Sequence, residues 1–101
     1  MYVYYAYRLR VEFEWDEAKR DRNRRTHGVD FEEAAAAFLD PLGVEKPELR
    51  TSGSEERFIC VAHSPRGQLL LTIFSERGRR IRIISSRRAT RREVKQYEEG
   101  I

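Results

Sequence analysis

Along the first fourteen residues the side chains alternate. Val3, Tyr5, Tyr7, Leu9, Val11 and Phe13 are interleaved with Tyr4, Ala6, Arg8, Arg10 and Glu12. A period of two puts one set on each side of an extended chain, so the pattern predicts a first strand within residues 2–14. Asp16 then offers a side-chain acceptor for the free N–H groups of a helix over roughly 17–26. That helix, Glu17-Ala18-Lys19-Arg20-Asp21-Arg22-Asn23-Arg24-Arg25, carries almost no apolar stripe and reads as peripheral. His27-Gly28 ends it, because glycine accepts the left-handed conformation of a helix terminus.

The period then changes to that of a buried helix. Asp30 and Glu33 have the spacing of a reciprocal capping box, and Phe31, Ala34, Ala35, Phe38 and Leu39 form one apolar face that belongs in the core. Asp40-Pro41 stops this helix. Leu42-Gly43-Val44 reads as a short strand, followed by a polar, acidic loop from Glu45 to Glu56 containing Pro47, Ser52, Gly53 and Ser54. Three apolar runs follow, over roughly 57–63, 68–76 and 80–87. They are separated by Ser64-Pro65-Arg66-Gly67 and Arg77-Gly78-Arg79, both short enough and glycine-bearing for hairpins. Thr90 and Glu93 form a second capping box, opening a last helix with Val94 and Tyr97 on one side. The order predicts an α+β fold, a single domain over 1–101 in which helices pack on one face of an antiparallel sheet.

Composition sharpens this picture. With 101 residues the chain has the length of one domain, and with 37% charged and 40% hydrophobic residues it builds one modest core beneath a large ionic surface. The longest apolar stretch, Leu69 to Phe74 interrupted by Thr72, is far short of a bilayer span, and residues 1–10 lack an apolar leader segment. A cytoplasmic protein without membrane attachment is expected. Cys60 is the only cysteine, so no internal disulfide and no cysteine-based zinc site are possible; no metal and no cofactor are expected.

Charge is segregated along the chain. Residues 1–27 hold 7 basic and 5 acidic side chains, residues 28–56 hold 2 and 8, and residues 57–101 hold 11 and 4. Of the 20 basic residues 17 are arginine, whose planar fork suits bidentate contact with phosphate. Arg77, Arg79, Arg80, Arg82, Arg87, Arg88, Arg91 and Arg92 fall in a stretch without a single acid, which points to an anionic partner, nucleic acid first. The plainer reading is a solvated face of an arginine-biased protein.

Metal-free RNA cleavage needs a base for the 2′-hydroxyl, an acid for the leaving oxygen and cations for the charge that builds on phosphorus. The residues suited to those roles are Lys19 and His27 around the first helix, Arg57 opening the meander, and Ser85 and Arg87 at the end of its last strand, with Arg79, Arg82, Arg88 and Arg91 as RNA contacts. Lys19 and His27 are two helical turns apart and can share one side of the helix. On the last strand, strict alternation places Ile81, Ile83, Ser85 and Arg87 on the packed face and Arg82, Ile84, Ser86 and Arg88 on the other. Each candidate also has a structural role open to it. His27 suits a helix C-terminus, where imidazolium is favoured by the dipole; His63, before a turn, reads as structural, Cys60 as a small core residue, and Trp15 as a core anchor.

Two segments carry a family resemblance. Phe13-Glu14-Trp15-Asp16, Lys19, Asn23, His27-Gly28-Val29 and Phe31-Glu32-Glu33-Ala34 resemble the opening motif of the BrnT toxins. Arg80 to Thr90, followed by Glu93 and Tyr97, resembles the closing motif. The resemblance covers 13–97, with residues 1–12 as an N-terminal strand or extension, and departs from the family at Ser86, where alanine is common. It implies a RelE-like fold and a metal-independent endoribonuclease toxin that inhibits translation. It also implies neutralisation by a BrnA-like ribbon-helix-helix antitoxin, through which alone operator DNA would be bound. Two other readings stand beside it: a non-catalytic nucleic-acid binder, for which the arginines alone suffice, and a module whose basic face docks an acidic protein.

Overall fold

The computed structural model describes residues 2–6, 11–49 and 55–100. Among the described residues nine elements follow one another: β1 (Tyr2–Ala6), β2 (Val11–Trp15), α1 (Glu17–His27), α2 (Phe31–Ala37), β3 (Val44–Pro47), β4 (Phe58–His63), β5 (Leu69–Arg77), β6 (Arg80–Arg88) and α3 (Arg91–Glu98). The strands form one sheet in the order β1-β2-β6-β5-β4-β3. The expected antiparallel meander is β4-β5-β6. The single N-terminal strand expected within 2–14 is instead two strands paired antiparallel, Tyr2 opposite Trp15 and Ala6 opposite Val11, with residues 7–10 outside the described residues. The sheet is also not antiparallel throughout. β2 joins β6 in parallel, Glu12 opposite Arg80 and Glu14 opposite Arg82, because two helices separate β2 from the meander and return the chain to run beside it.

Three of the expected caps close as the sequence implies. The Asp16 carboxylate accepts from Ala18 and Lys19 N–H, Gly28 ends α1 at φ 70°, and Thr90 and Glu93 bond each other's backbone N–H at the start of α3. The box expected at Asp30 does not form. Asp30 accepts from Glu32 N–H, while Glu33 takes the Ser64 hydroxyl at 2.7 Å and so ties α2 to the β4–β5 turn. The strand expected around Leu42-Gly43-Val44 lies further on, at Val44–Pro47, within the segment expected as loop; residues 50–54 of that loop are outside the described residues.

Core packing follows the two apolar periods. Phe13, Trp15, Phe31, Ala34, Ala35 and Ile83 form one buried cluster; Val29, Ala37, Cys60, Ala62, Leu70 and Phe74 form another. Phe38 joins them, its ring centroid 5.1 Å from both Phe13 and Phe74, whereas Leu39 is exposed. Trp15 is fully buried and edge-on to Phe31, as a core anchor should be. Cys60 is buried too, and desolvation first, then the charges of Glu45 and Asp40, push its thiol up to about 12. Not all helices share one face: α2 covers the side carrying Cys60, Leu70 and Phe74, while α3 lies across the other, where Val61, Leu71, Gln96 and Tyr97 border one groove.

A β-bulge redirects β6. Ile73 faces Ser85 but the next residue, Phe74, faces Ile83, so Ile84 is the extra residue. Ile81 and Ile83 point into the core as strict alternation requires. Beyond the bulge the parity reverses: Ser86 joins the core side, its hydroxyl 2.9 Å from Thr72 Oγ1, and Ser85 and Arg87 turn to the opposite face with Arg82. The expected grouping of Ser85 and Arg87 with Ile81 and Ile83 is therefore overturned.

Past its short pairing with β2, the outer edge of β6 is covered by α1 through one side chain. The buried Asn23 amide donates to Ser86 O at 2.8 Å and Val29 O at 3.0 Å, and accepts from Ser86 N–H at 3.0 Å. It does for Ser86 what a neighbouring strand would do. Asn23→Ala strands three buried backbone groups, each costing about 1–3 kcal/mol when unpaired. We expect a loss of roughly 3 kcal/mol or more in denaturant unfolding, against less than about 0.5 kcal/mol for the exposed Arg25→Ala; equal stability of the two variants would refute this role.

Candidate active site

The parity reversal builds a cleft. His27, Glu48, Ile59, Leu71, Ile73, Ser85 and Arg87 line a space of about 250 Å³ on the face away from α2. Ser85 and Arg87 come from the far half of β6, His27 from the last turn of α1, and Glu48 from the residue after β3, whose N–H donates to Arg57 O at 2.9 Å and extends the β3–β4 ladder. Three of the five sequence candidates, His27, Ser85 and Arg87, are thus brought together.

Lys19 and Arg57 are not in that cleft. Lys19 lines an adjoining groove of about 260 Å³ with Arg22, Asn23, Thr26, Ile84 and His27, so His27 is the wall shared by both spaces. The expected placement of Lys19 and His27 on one side of the helix holds. Arg57 precedes Phe58, which faces Phe74, and by the same register lies beside Ser75, some 13 Å along the sheet from the Leu71–Arg87 pair at about 3.4 Å per residue. Its Nε is buried without a hydrogen-bond partner among the described residues. Separation along β6 also divides the expected RNA contacts. Arg88 and Arg91 stand exposed at the cleft end, whereas Arg79 occupies the β5–β6 turn and Arg82 pairs with buried Glu14 at 3.5 Å, toward the far end of a strand about 27 Å long.

Arg87 is held by a carboxylate that also caps α3. Glu93 accepts from both terminal nitrogens of Arg87, at 2.8 and 2.9 Å, while its Oε1 also accepts from Thr90 N–H at 2.8 Å. One further Arg87 Nη1 bond reaches Arg88 O at 3.3 Å. Among the described residues the Nε–H and one Nη2 hydrogen have no acceptor, which leaves them for an incoming phosphate. The Arg87 guanidinium holds the Glu93 carboxyl down at about 2, with the Thr90 N–H helping, and the carboxylate in turn raises Arg87. Neither Glu48 nor Glu93 is among the expected site residues: Glu48 sits in no motif, and Glu93 stands out in the sequence only through its capping box with Thr90 and the closing family motif. Spacing to Thr90 revealed the cap, but nothing in the sequence places either carboxylate beside β6.

His63 has a structural place, as expected. Its N–H donates to Asp40 Oδ2 at 2.9 Å and its ring meets Tyr97 edge-on at 5.6 Å, while the Tyr97 hydroxyl donates to Leu42 O at 2.8 Å. Asp40 is held below the usual carboxylate range, chiefly by that His63 N–H and by Leu42 N–H. Among the described residues no three His, Cys, Asp or Glu side chains converge as a metal site would need, and no helix is long and apolar enough to cross a membrane.

The Glu93 shift carries a pH dependence. A carboxylate lowered on folding contributes stability in full above its ordinary value near 4.5, and loses it as pH falls toward 2. Glu93→Gln should therefore flatten the acid limb of the stability curve between about pH 4.5 and 2, measured by thermal melts across that window. Wild-type and variant curves running parallel there would contradict the pairing.

Residues 15–93 match the family model described as the ribonuclease toxin BrnT of type II toxin–antitoxin systems. Among solved structures, the Brucella abortus ribonuclease toxin BrnT matches with a TM-score of 0.58 and 23% identity, over 78% of this chain and 96% of that one. Curated proteins give no match.

Proposed function

Because the chain belongs to the BrnT family of ribonuclease toxins of type II toxin–antitoxin systems, we propose that its cleft cleaves RNA without a metal ion, with His27 as the proton-transfer residue. The observation that carries this reading is the meeting of His27, Ser85 and Arg87 in one space. An imidazole can serve either proton-transfer step. The 2′-hydroxyl gives up its proton and attacks phosphorus, the bond to the 5′-oxygen breaks, and that oxygen takes up a proton. The products are a 2′,3′-cyclic phosphate and a 5′-hydroxyl. Arg87 meets the charge that builds on the equatorial oxygens through its unoccupied N–H groups, with Ser85 beside it as a hydroxyl donor. Arg91 adds an exposed cation at the same end of β6, while Arg88, opposite Leu70, stands on the other face of the sheet.

As a type II toxin the protein has RNA as substrate and an antitoxin as partner. Our reading adds that the antitoxin is a BrnA-like ribbon-helix-helix protein, that the complex and not the free toxin binds operator DNA, and that both act in the cytoplasm to stop translation. An inhibitor presenting carboxylates to the arginines gains association rate and specificity together.

Purified protein should cleave an RNA oligonucleotide in EDTA and leave untouched the same oligonucleotide carrying a 2′-deoxy at the scissile position. Loss of cleavage in EDTA, or cutting of the deoxy substrate, overturns the mechanism; a gel shift without cleavage points to a binder. Arg87→Lys keeps the charge but not the two-bond fork, so its cleavage rate should fall by about tenfold or more, the scale of one lost charge-assisted bond. Wild-type rates in that variant would remove the fork from the mechanism. In cells, expression of the chain alone should arrest growth, and co-expression of its antitoxin should relieve the arrest.

A further inference from the structure

Of the five cations of helix α1, exposed Arg25 lines neither groove, and the other four fall on two contrasting faces. On one, every arginine is tied: Arg20 to Asp30 at 2.8 Å and more loosely to Glu17 and Glu32, Arg24 to Asp21 at 2.7 Å and to Asp30 at 3.7 Å. On the other, Lys19, Arg22 and Thr26 follow one another at helical spacing, exposed, and among the described residues neither cation has an ion-pair partner. The Asp16 carboxylate, whose charge reaches both, is already engaged by the N–H groups of Ala18 and Lys19. The floor of the groove between them and β6 is Ile84, the residue that the bulge ejects from the regular ladder. At its end stands His27, the wall shared with the cleft of Ser85 and Arg87.

We infer that this groove is a subsite for the nucleotide next to the scissile one on a single RNA strand: Lys19 and Arg22 hold the flanking phosphate, Thr26 donates a hydrogen bond, and Ile84 supports the sugar and base. The inference rests on the ribonuclease reading for the identity of the strand and places Lys19 on the phosphate next to the scissile one. The geometry favours it. A strand leaving the cleft past His27 enters the groove directly, whereas the path toward Arg79 and Arg82 runs along β6 past arginines already neutralised by Glu12 and Glu14. An apolar floor beneath two unpaired cations also matches the two sides of a nucleotide, a feature that a merely solvated helix face does not need.

The test uses binding and cleavage in parallel. Fluorescence anisotropy with a labelled, non-cleavable 2′-O-methyl hexanucleotide is measured across salt concentrations for wild type, for the double variant Lys19→Ala/Arg22→Ala, and for Arg24→Ala on the tied face. Loss of one phosphate contact should make the slope of log affinity against log salt shallower by about 0.7 in the double variant, with affinity at low salt down roughly five- to tenfold. Arg24→Ala should keep the wild-type slope. A dinucleotide spanning only the scissile phosphate, used as a competitor of cleavage, should inhibit wild type and double variant equally.

Unchanged slope and affinity in the double variant overturn the subsite. So does an equal loss in Arg24→Ala, which would mean net charge alone, or an equal loss with the dinucleotide, which would place Lys19 at the scissile phosphate. Absence of hexanucleotide binding by wild type also overturns it. Should wild type bind with the expected slope difference and cleave nothing, the ribonuclease reading fails while the groove stands.

Discussion

The hydrogen bonds of one buried amide hold the functional half of the molecule together. Helix α1 has no apolar face with which to dock, and Asn23 is its one buried residue. Its amide satisfies both backbone groups of Ser86 and the carbonyl of Val29, so that a helix otherwise made of charges is fixed against the edge of β6 and the α1–α2 turn. Directional bonds to backbone specify position more tightly than apolar contact, because a sliding hydrophobic face loses little while a displaced amide leaves buried groups unpaired. His27, one turn further along, inherits that precision, as do Lys19 and Arg22 on the same side. A polar helix can thus carry site residues in this fold because its attachment is polar too.

Electrostatic sorting comes next. An acid-free run of arginines in the sequence becomes, in three dimensions, two populations. Toward the β5–β6 turn, Arg80 and Arg82 meet Glu12 and Glu14 from β2, and Arg77 approaches Glu55 at 3.7 Å. At the other end Arg87 meets Glu93, but with donors left over, and Arg88 and Arg91 stay open. The parallel placement of β2 beside β6 produces this difference. It lays two glutamates of β2 against the first half of the strand and none against the second.

Much of this was legible from local chemistry. The three meander strands, the core faces of α2, the caps at Asp16, Gly28 and Thr90, and the polar character of α1 all follow from periodicity and from the few residues that satisfy free backbone groups at helix ends. His27, Ser85 and Arg87 were chosen for their chemistry and do share a cleft. Three matters were not legible. The bulge at Ile84 depends on the fit of β6 against β5, and a single extra residue reverses which side chains face the core. Glu48 and Glu93 enter the cleft region from a strand end and a helix cap, and neither position advertises its neighbour. The parallel β2–β6 pairing arises from the path of the chain over two helices, which no local pattern encodes.

Ser86 shows the division most clearly. Where the family commonly has alanine, this chain has a hydroxyl, and alternation alone would have set it on the open face beside Arg88. The fold turns it inward, where it bonds Thr72, while its backbone bonds Asn23. By itself the sequence determined most of the elements, the helix ends at Asp16, Gly28 and Thr90, the α+β class and the inventory of groups able to handle a phosphate, since these depend on residues within a turn or two of one another. Tertiary structure alone decided which cations remain free, which half of β6 faces the cleft and which carboxylates stand beside it. Those outcomes depend on register and crossover between segments far apart in the chain, where a shift of one residue exchanges inside for outside.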